Sequence, residues 1–187
     1  MTATDTRTAI PGYTAGTWTI DPVHSEVGFT VRHMMVSKVR GRFTSFSGEI
    51  VTGADPLDSS VTAEIALDSI ITGQEQRDAH IRSADFFDVE NHPTMTYRST
   101  GVSRHGDGFV VDGELTLKGV TKNVQLALEL NGFGPDAYGG TRAGFTATAE
   151  INRRDFGVNW NAAIEGGGVV VSDKVTIQLE IEAVLKA

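Results

Sequence analysis

The chain has 187 residues, the size of one ordinary domain with a core of its own. Its 16 Lys plus Arg face 24 Asp plus Glu, a formal charge of −8 that argues against a surface gathering phosphate backbones by counterion release. Cysteine is absent, which excludes disulfides, thiolate metal sites and cysteine nucleophiles together.

Residues 1–16 are rich in Thr and Ala, include Asp5 and Arg7, and lack the apolar run of a signal sequence. They read as a flexible tail ahead of one domain over residues 17–187. No run approaches the roughly 18 apolar residues of a membrane-spanning helix, so the expected location is the cytoplasm, with no stable membrane insertion. From there the dominant signal is alternation, the mark of a strand with one buried and one wet face. It begins with Trp18-Ile20, Val27-Phe29-Val31 and the stretch from Val39 to Val51, then continues in Val61-Ala63-Ile65-Leu67. One segment breaks it. Thr72 with Glu75 three residues on fits a capping box, which predicts a short helix over Gly73–Ser83 with little apolar surface. A helix so polar lies over a barrel mouth or a sheet edge. Alternation resumes in Met95-Tyr97 and in Phe109-Val111-Gly113-Leu115-Leu117. Lys118-Gly119 then shifts the apolar positions from odd to even, as a two-residue hairpin turn requires. Val124 to Leu130 and Ala143 to Ile151 follow, then a short helical turn near Arg153–Gly157, a loop or bulge at Gly166-Gly167-Gly168, and a last strand from Val175 to Leu185.

About nine strand candidates of this kind predict an all-β fold, an antiparallel lipocalin-like barrel of about eight strands with one or two short helices. Small residues on the apolar faces, among them Ala63, Ser99, Gly113, Ala147 and Ala149, leave room for one apolar guest. The same interior could instead be filled by Phe29, Phe43, Phe109 and Phe145. The pattern leaves both readings open.

Catalytic constellations are scarce. His24 and His33 are an odd number of positions apart and point to opposite faces of a regular strand. His80, His92 and His105 show no metal-ligand spacing, so the five histidines predict no metal site. Ser25 beside His24 on a strand is poorly placed to share a proton, and no nucleophile elbow, P-loop or dinucleotide fingerprint occurs. His33 shares the face of Phe29, Val31 and Met35, so it is expected inward, bonded to another side chain or to a polar ligand head. Lys38, Arg40 and Arg42 read as a solvated outer face, with a phosphate or membrane-surface patch as the alternative. Arg77, Asp78, His80, Arg82 and Asp85 form either an ion-pair network pinning the helix or a polar rim at a cavity entrance.

These residues also resemble a known family. Trp18-Thr-Ile-Asp21-Pro-Val-His24-Ser25, Phe29-Thr-Val-Arg32-His33 and Gly41-Arg-Phe43-Thr-Ser-Phe46-Ser-Gly48 are similar to the opening blocks of the YceI-like proteins. Further blocks run from Arg77-Asp78-Ala-His80-Ile-Arg82 to Asp85-Phe86-Phe87-Asp88 and His92-Pro93, through Gly113-Glu-Leu115-Thr116-Leu117, to Ile151-Asn-Arg153-Arg-Asp155-Phe156-Gly157. The resemblance implies a barrel with an apolar tunnel for a polyisoprenoid chain, such as a prenyl quinone or polyprenyl precursor, and a carrier rather than an enzyme. Several members look dimeric, so a homodimer is among the implied states, whereas nucleic acid is not an expected partner. The lipid enters through this resemblance, not through composition or periodicity. On that reading Phe29, Val31, Met35, Phe43, Ile65, Met95, Tyr97, Phe109, Leu115, Leu117 and Phe145 line the tunnel. His33 and Tyr97 are then the inward polar tips able to meet a headgroup. The competing readings are an enzyme using His33 as general base, and a filled barrel serving as a scaffold.

Overall fold

The alternating segments pair into one eleven-stranded antiparallel sheet, in a computed structural model that describes residues 10–162, 168 and 170–187. In chain order the strands are β1 (Gly16–Ile20), β2 (Glu26–His33), β3 (Ser37–Phe43), β4 (Phe46–Thr52), β5 (Ser60–Ala66) and β6 (Ile70–Ile71). Helix α1 (Glu75–Arg82) separates these from β7 (Thr94–His105), β8 (Gly108–Leu117), β9 (Val120–Pro135), β10 (Thr141–Asn152) and β11 (Val171–Leu185). Eight strands close a barrel in the order β1-β4-β5-β7-β8-β9-β10-β11, with β1 returning onto β11 so that Trp18 faces Leu185. The other three extend the sheet from β11 as β2-β3-β6. One long strand thus serves two partners: the C-terminal end of β11 pairs with β1 and its remainder with β2.

Local chemistry explains why these elements form. In β8 every odd residue from Phe109 to Leu117 is buried and every even one is half-buried, the period of two read from the sequence. The β8–β9 turn has Lys118 at φ 53° and Gly119 at φ 76°, with Leu117 opposite Val120. Two left-handed residues make the turn whose twist matches the flanking strands. Within the strands two aromatic rings lie across glycines. A Cβ on Gly41 would overlap the Phe29 ring, and one on Gly113 would overlap the Tyr97 ring.

The helix begins later than the expected Gly73, and the capping box does not form. Gln74 holds the cap position without a side-chain bond. Thr72 turns instead to Asp78, donating from its backbone N–H at 2.9 Å and from its hydroxyl to the same carboxylate oxygen. Asp78 is buried, and a buried carboxylate must be satisfied, so it takes the threonine that Glu75 was expected to meet. The helix charges act chiefly on backbone. Arg77 bonds the Thr72 carbonyl at 2.7 Å, and Arg82 reaches the carbonyls of Asp68 and Ile70. The short turn expected near Arg153 is a 3-10 segment, Arg153–Phe156, ending at Gly157 with φ 72°. Arg153 is only 4 % exposed, and its guanidinium donates to the carbonyls of Ser172, Val158, Trp160 and Val171.

Part of the expected tail, residues 1–9, lies outside the described residues, as do Gly166 and Gly167. From Ile10 onward the chain lies against the barrel. The Tyr13 ring meets Phe133 edge-on at 5.3 Å, and its hydroxyl donates to the Gly53 carbonyl at 2.6 Å.

Candidate ligand cavity

The inward faces of β5, β7, β8, β9, β10 and β11 surround one internal cavity of about 190 Å³. Ile65, Leu115, Leu126, Leu128, Phe145 and Leu179 are typical of its wall. Drug-sized pockets hold roughly 300–1,000 Å³, so this one suits a single slender chain rather than a bulky ring system. Tyr13, Thr52, Pro56, Ser59 and Ser60 stand at one end, where β4 gives way to β5. The opposite end is solid. Phe43, Leu67, Ile70, Phe86 and Phe156 are buried there without lining the cavity, and the Trp160 ring packs on Phe86 at 5.3 Å.

The buried polar groups on the wall are already engaged. Tyr97 donates its hydroxyl to the Val124 carbonyl at 2.9 Å, and burial, with a smaller push from Asp112, raises its pKa to about 12. Ser99 accepts from Val61 N–H at 2.8 Å. The Thr52 hydroxyl receives Trp18 Nε1–H at 2.9 Å and donates to the Thr14 carbonyl at 2.8 Å. Among the described residues no buried side-chain polar atom lacks a partner. A guest inside this space therefore gains by burying hydrocarbon and finds no buried polar group in need of a bond.

Of the residues assigned to a tunnel wall from sequence, Ile65, Met95, Tyr97, Phe109, Leu115 and Phe145 face the cavity. Phe29, Val31, His33, Met35, Phe43 and Leu117 do not. Phe29 and Phe43 pack on each other at 5.9 Å, and Leu117 is buried among the rings that close the far end. His33 is half-buried at the last position of β2, beside Ser37 and Val171, and lies away from the cavity. Met35, expected inward, is 53 % exposed with φ 62°, because β2 has ended and strand alternation no longer governs its direction. The wall also takes residues that the sequence reading placed on strands without assigning them to the site, notably Val124, Leu126, Leu128 and Leu130 of β9 and Ile177, Leu179 and Ile181 of β11. Their alternation carried the same signal. Tyr13, Thr52 and Pro56 gave none, since the barrel's closure brings them there.

Among the described residues the one cluster with metal-like donors is Asp21, His24 and Glu182, and it is built around a guanidinium. Arg142 Nη1 lies 2.8 Å from Asp21 and 3.0 Å from Glu182, while its Nε lies 3.1 Å from Asp136. Hydrogen bonds from Arg142, then His24, hold the Asp21 carboxyl well below the usual carboxylate range. Asp136 is lowered too, first by the N–H groups of Gly140 and Tyr138.

Known proteins share both the sequence and the fold. The model of the YceI-like domain matches residues 18–183. A UPF0312 protein of Photorhabdus laumondii is 40 % identical over 134 residues, covering 71 % of this chain and 70 % of that protein. The crystal structure of BcnA from Burkholderia cenocepacia superposes with a TM-score of 0.75 at 23 % identity, covering 87 % of this chain and 98 % of its own. A domain from Saccharophagus degradans, described as polyisoprenoid binding and implicated in plant cell wall breakdown, has a TM-score of 0.67 at 17 % identity, covering 92 % of this chain and 100 % of its own. With its sequence blocks, closed eight-stranded barrel and family-model match in agreement, this chain belongs to the YceI-like family.

Proposed function

We propose that this barrel binds one long apolar chain of the isoprenoid type, a prenyl quinone or polyprenyl precursor, and carries or sequesters it without chemical change. The observation that carries the reading is the slender, mostly apolar cavity whose buried polar groups are satisfied within the protein. The description of the Saccharophagus domain as polyisoprenoid binding agrees with it. His33, the candidate general base, lies away from the cavity, which favours binding over catalysis. The energetics suffice. At about 0.8 kcal/mol per buried methylene, roughly fifteen of them offset an association cost of several kcal/mol and reach micromolar affinity. Because an apolar wall discriminates weakly between similar hydrocarbons, chain length and thickness select the guest more than its detailed chemistry.

The test is mass spectrometry of an organic extract from protein purified without detergent. A stoichiometric prenyl quinone or polyprenyl species is the expected result. If the extract is empty, and added quinones and polyprenyl phosphates also fail to displace a fluorescent apolar probe, the carrier reading falls and a scaffold without ligand replaces it. A cytoplasmic location is proposed alongside it, and cell fractionation checks that separately.

A further inference from the structure

The β2–β3 hairpin combines three features that packing of the barrel does not require. Its tip, Met34-Met35-Val36, is exposed by 42, 53 and 84 %. Met34 and Met35 both sit in left-handed backbone, φ 50° and 62°, where Asn and Gly are the favoured residues. The sequence thus places long apolar side chains at strained positions and turns them to solvent. Next to the tip, Arg32 stands opposite Lys38 in the ladder, and Arg40 follows on the same face, with Arg42 beyond it. Like charges directly across a ladder repel, so this pairing also opposes folding.

None of Arg32, Lys38, Arg40 or Arg42 makes an ion pair among the described residues. Lys174 on the neighbouring strand is held by Glu150 at 2.8 Å. Among the described residues Glu26, which faces Glu180, stands diagonal to Arg42, and Glu150 is taken by Lys174. In a chain of net charge −8, four adjacent cations without an ion pair among the described residues, behind an exposed apolar tip, form a local reversal of sign.

We propose that this hairpin docks the protein on an anionic lipid bilayer. Met34, Met35 and Val36 enter the interfacial region while Arg32, Lys38, Arg40 and Arg42 meet the headgroups. Weak apolar insertion and a basic patch are the two signals that together give reversible surface attachment. The hairpin projects where β11 begins, the end opposite the Tyr13 rim, so attachment does not use the cavity and does not depend on what it holds.

Flotation of the full-length protein with vesicles tests this, comparing phosphatidylcholine alone with phosphatidylcholine mixed with phosphatidylglycerol. The expected result is binding to the anionic vesicles only, weakened by salt and by about five-fold for each cation removed in Arg32→Ser and Lys38→Ser. Met34→Asn combined with Met35→Gly and Val36→Ser removes the apolar tip while giving the turn its preferred residues, so a folded variant is expected to lose binding. Equal binding to both vesicle types, or unchanged binding by these folded variants, overturns the proposal. So does sedimentation that shows a dimer of the native chain and a monomer of the tip variant, which would make the hairpin a contact between copies. Displacement of an apolar probe from the cavity, measured on the same variants, is expected to stay as in the native protein.

Discussion

The two ends of the barrel are walled by the same strands and differ in what reaches their interior. Toward the Tyr13 rim the inward side chains leave a hollow between them. Toward α1 the space is taken by rings from segments that are not strands: Phe86 and Phe87 after the helix, Phe156 from the 3-10 turn and Trp160 beyond it. An eight-stranded barrel is just wide enough for either outcome. Strand alternation therefore makes a wall, and the connecting segments decide whether that wall encloses a core or a cavity. The ends are also held differently. Buried Arg153 ties four carbonyls together at the filled end, while Arg142 clasps Asp21, Asp136 and Glu182 near the open one.

Large-to-small substitutions give the strongest contrast. Phe156→Ala at the filled end is expected to cost about 3–5 kcal/mol, because a 1 % exposed ring leaves a void in close packing. Phe109→Ala, whose ring already borders empty space, should fall below about 3 kcal/mol, since it forfeits fewer contacts. Urea unfolding of both variants measures the gap, and equal losses would mean the ends are packed alike.

Small-to-large substitutions reverse the contrast. Ala149→Phe, in the filled region, is expected to overpack and cost about 1–3 kcal/mol while leaving uptake of an apolar probe intact. Ala147→Phe, two residues away on the cavity wall, should lower probe affinity by about ten-fold or more, a loss of about 1.4 kcal/mol, with less effect on unfolding. Probe titration and denaturation of the pair separate the two regions within one strand.

Acid acts on the clasp near the open end. The Asp21 pKa lies below its ordinary 3.8 in the folded protein, so Asp21 contributes stability that is present above pH 3.8 and is lost as pH falls through the folded value. Asp21→Asn removes that titration. Its thermal midpoint should be lower than the native one near neutrality and should decline less steeply in acid. The opposite case is Tyr97, whose raised pKa favours the folded state up to pH 10.0 and whose contribution drains away as pH rises through about 12. The smallest effect belongs to the exposed turn that borders the filled end. Lys118→Asn relieves a left-handed lysine at φ 53° and should raise stability by less than about 1 kcal/mol, read from the urea midpoint.

Much of this molecule is readable one strand at a time. The alternation from Phe109 to Leu117, the parity change at Lys118-Gly119 and the regular faces of β9 and β11 follow from neighbouring residues, because a pleated strand repeats every two positions. Those faces supply the cavity wall from Ile65 and Leu115 to Phe145. The errors lie where a residue's surroundings come from distant chain. Met35 follows the parity of β2 in sequence but sits past its end, and Thr72 meets Asp78 rather than Glu75 because burial leaves Asp78 in need of donors. Phe29 and Phe43 look like cavity lining and instead join the rings that block one end. The sequence by itself determined most of the strands, the inward faces of β8 to β11 and the family, but it read β3 and β4 as one stretch and missed β6. Only the tertiary structure decided that β11 serves both β1 and β2, that Tyr13 and Thr52 reach the rim, and that Phe86, Phe156 and Trp160 fill one half. Periodicity is a property of adjacent residues, whereas a cavity is the volume left after segments far apart in the chain have packed.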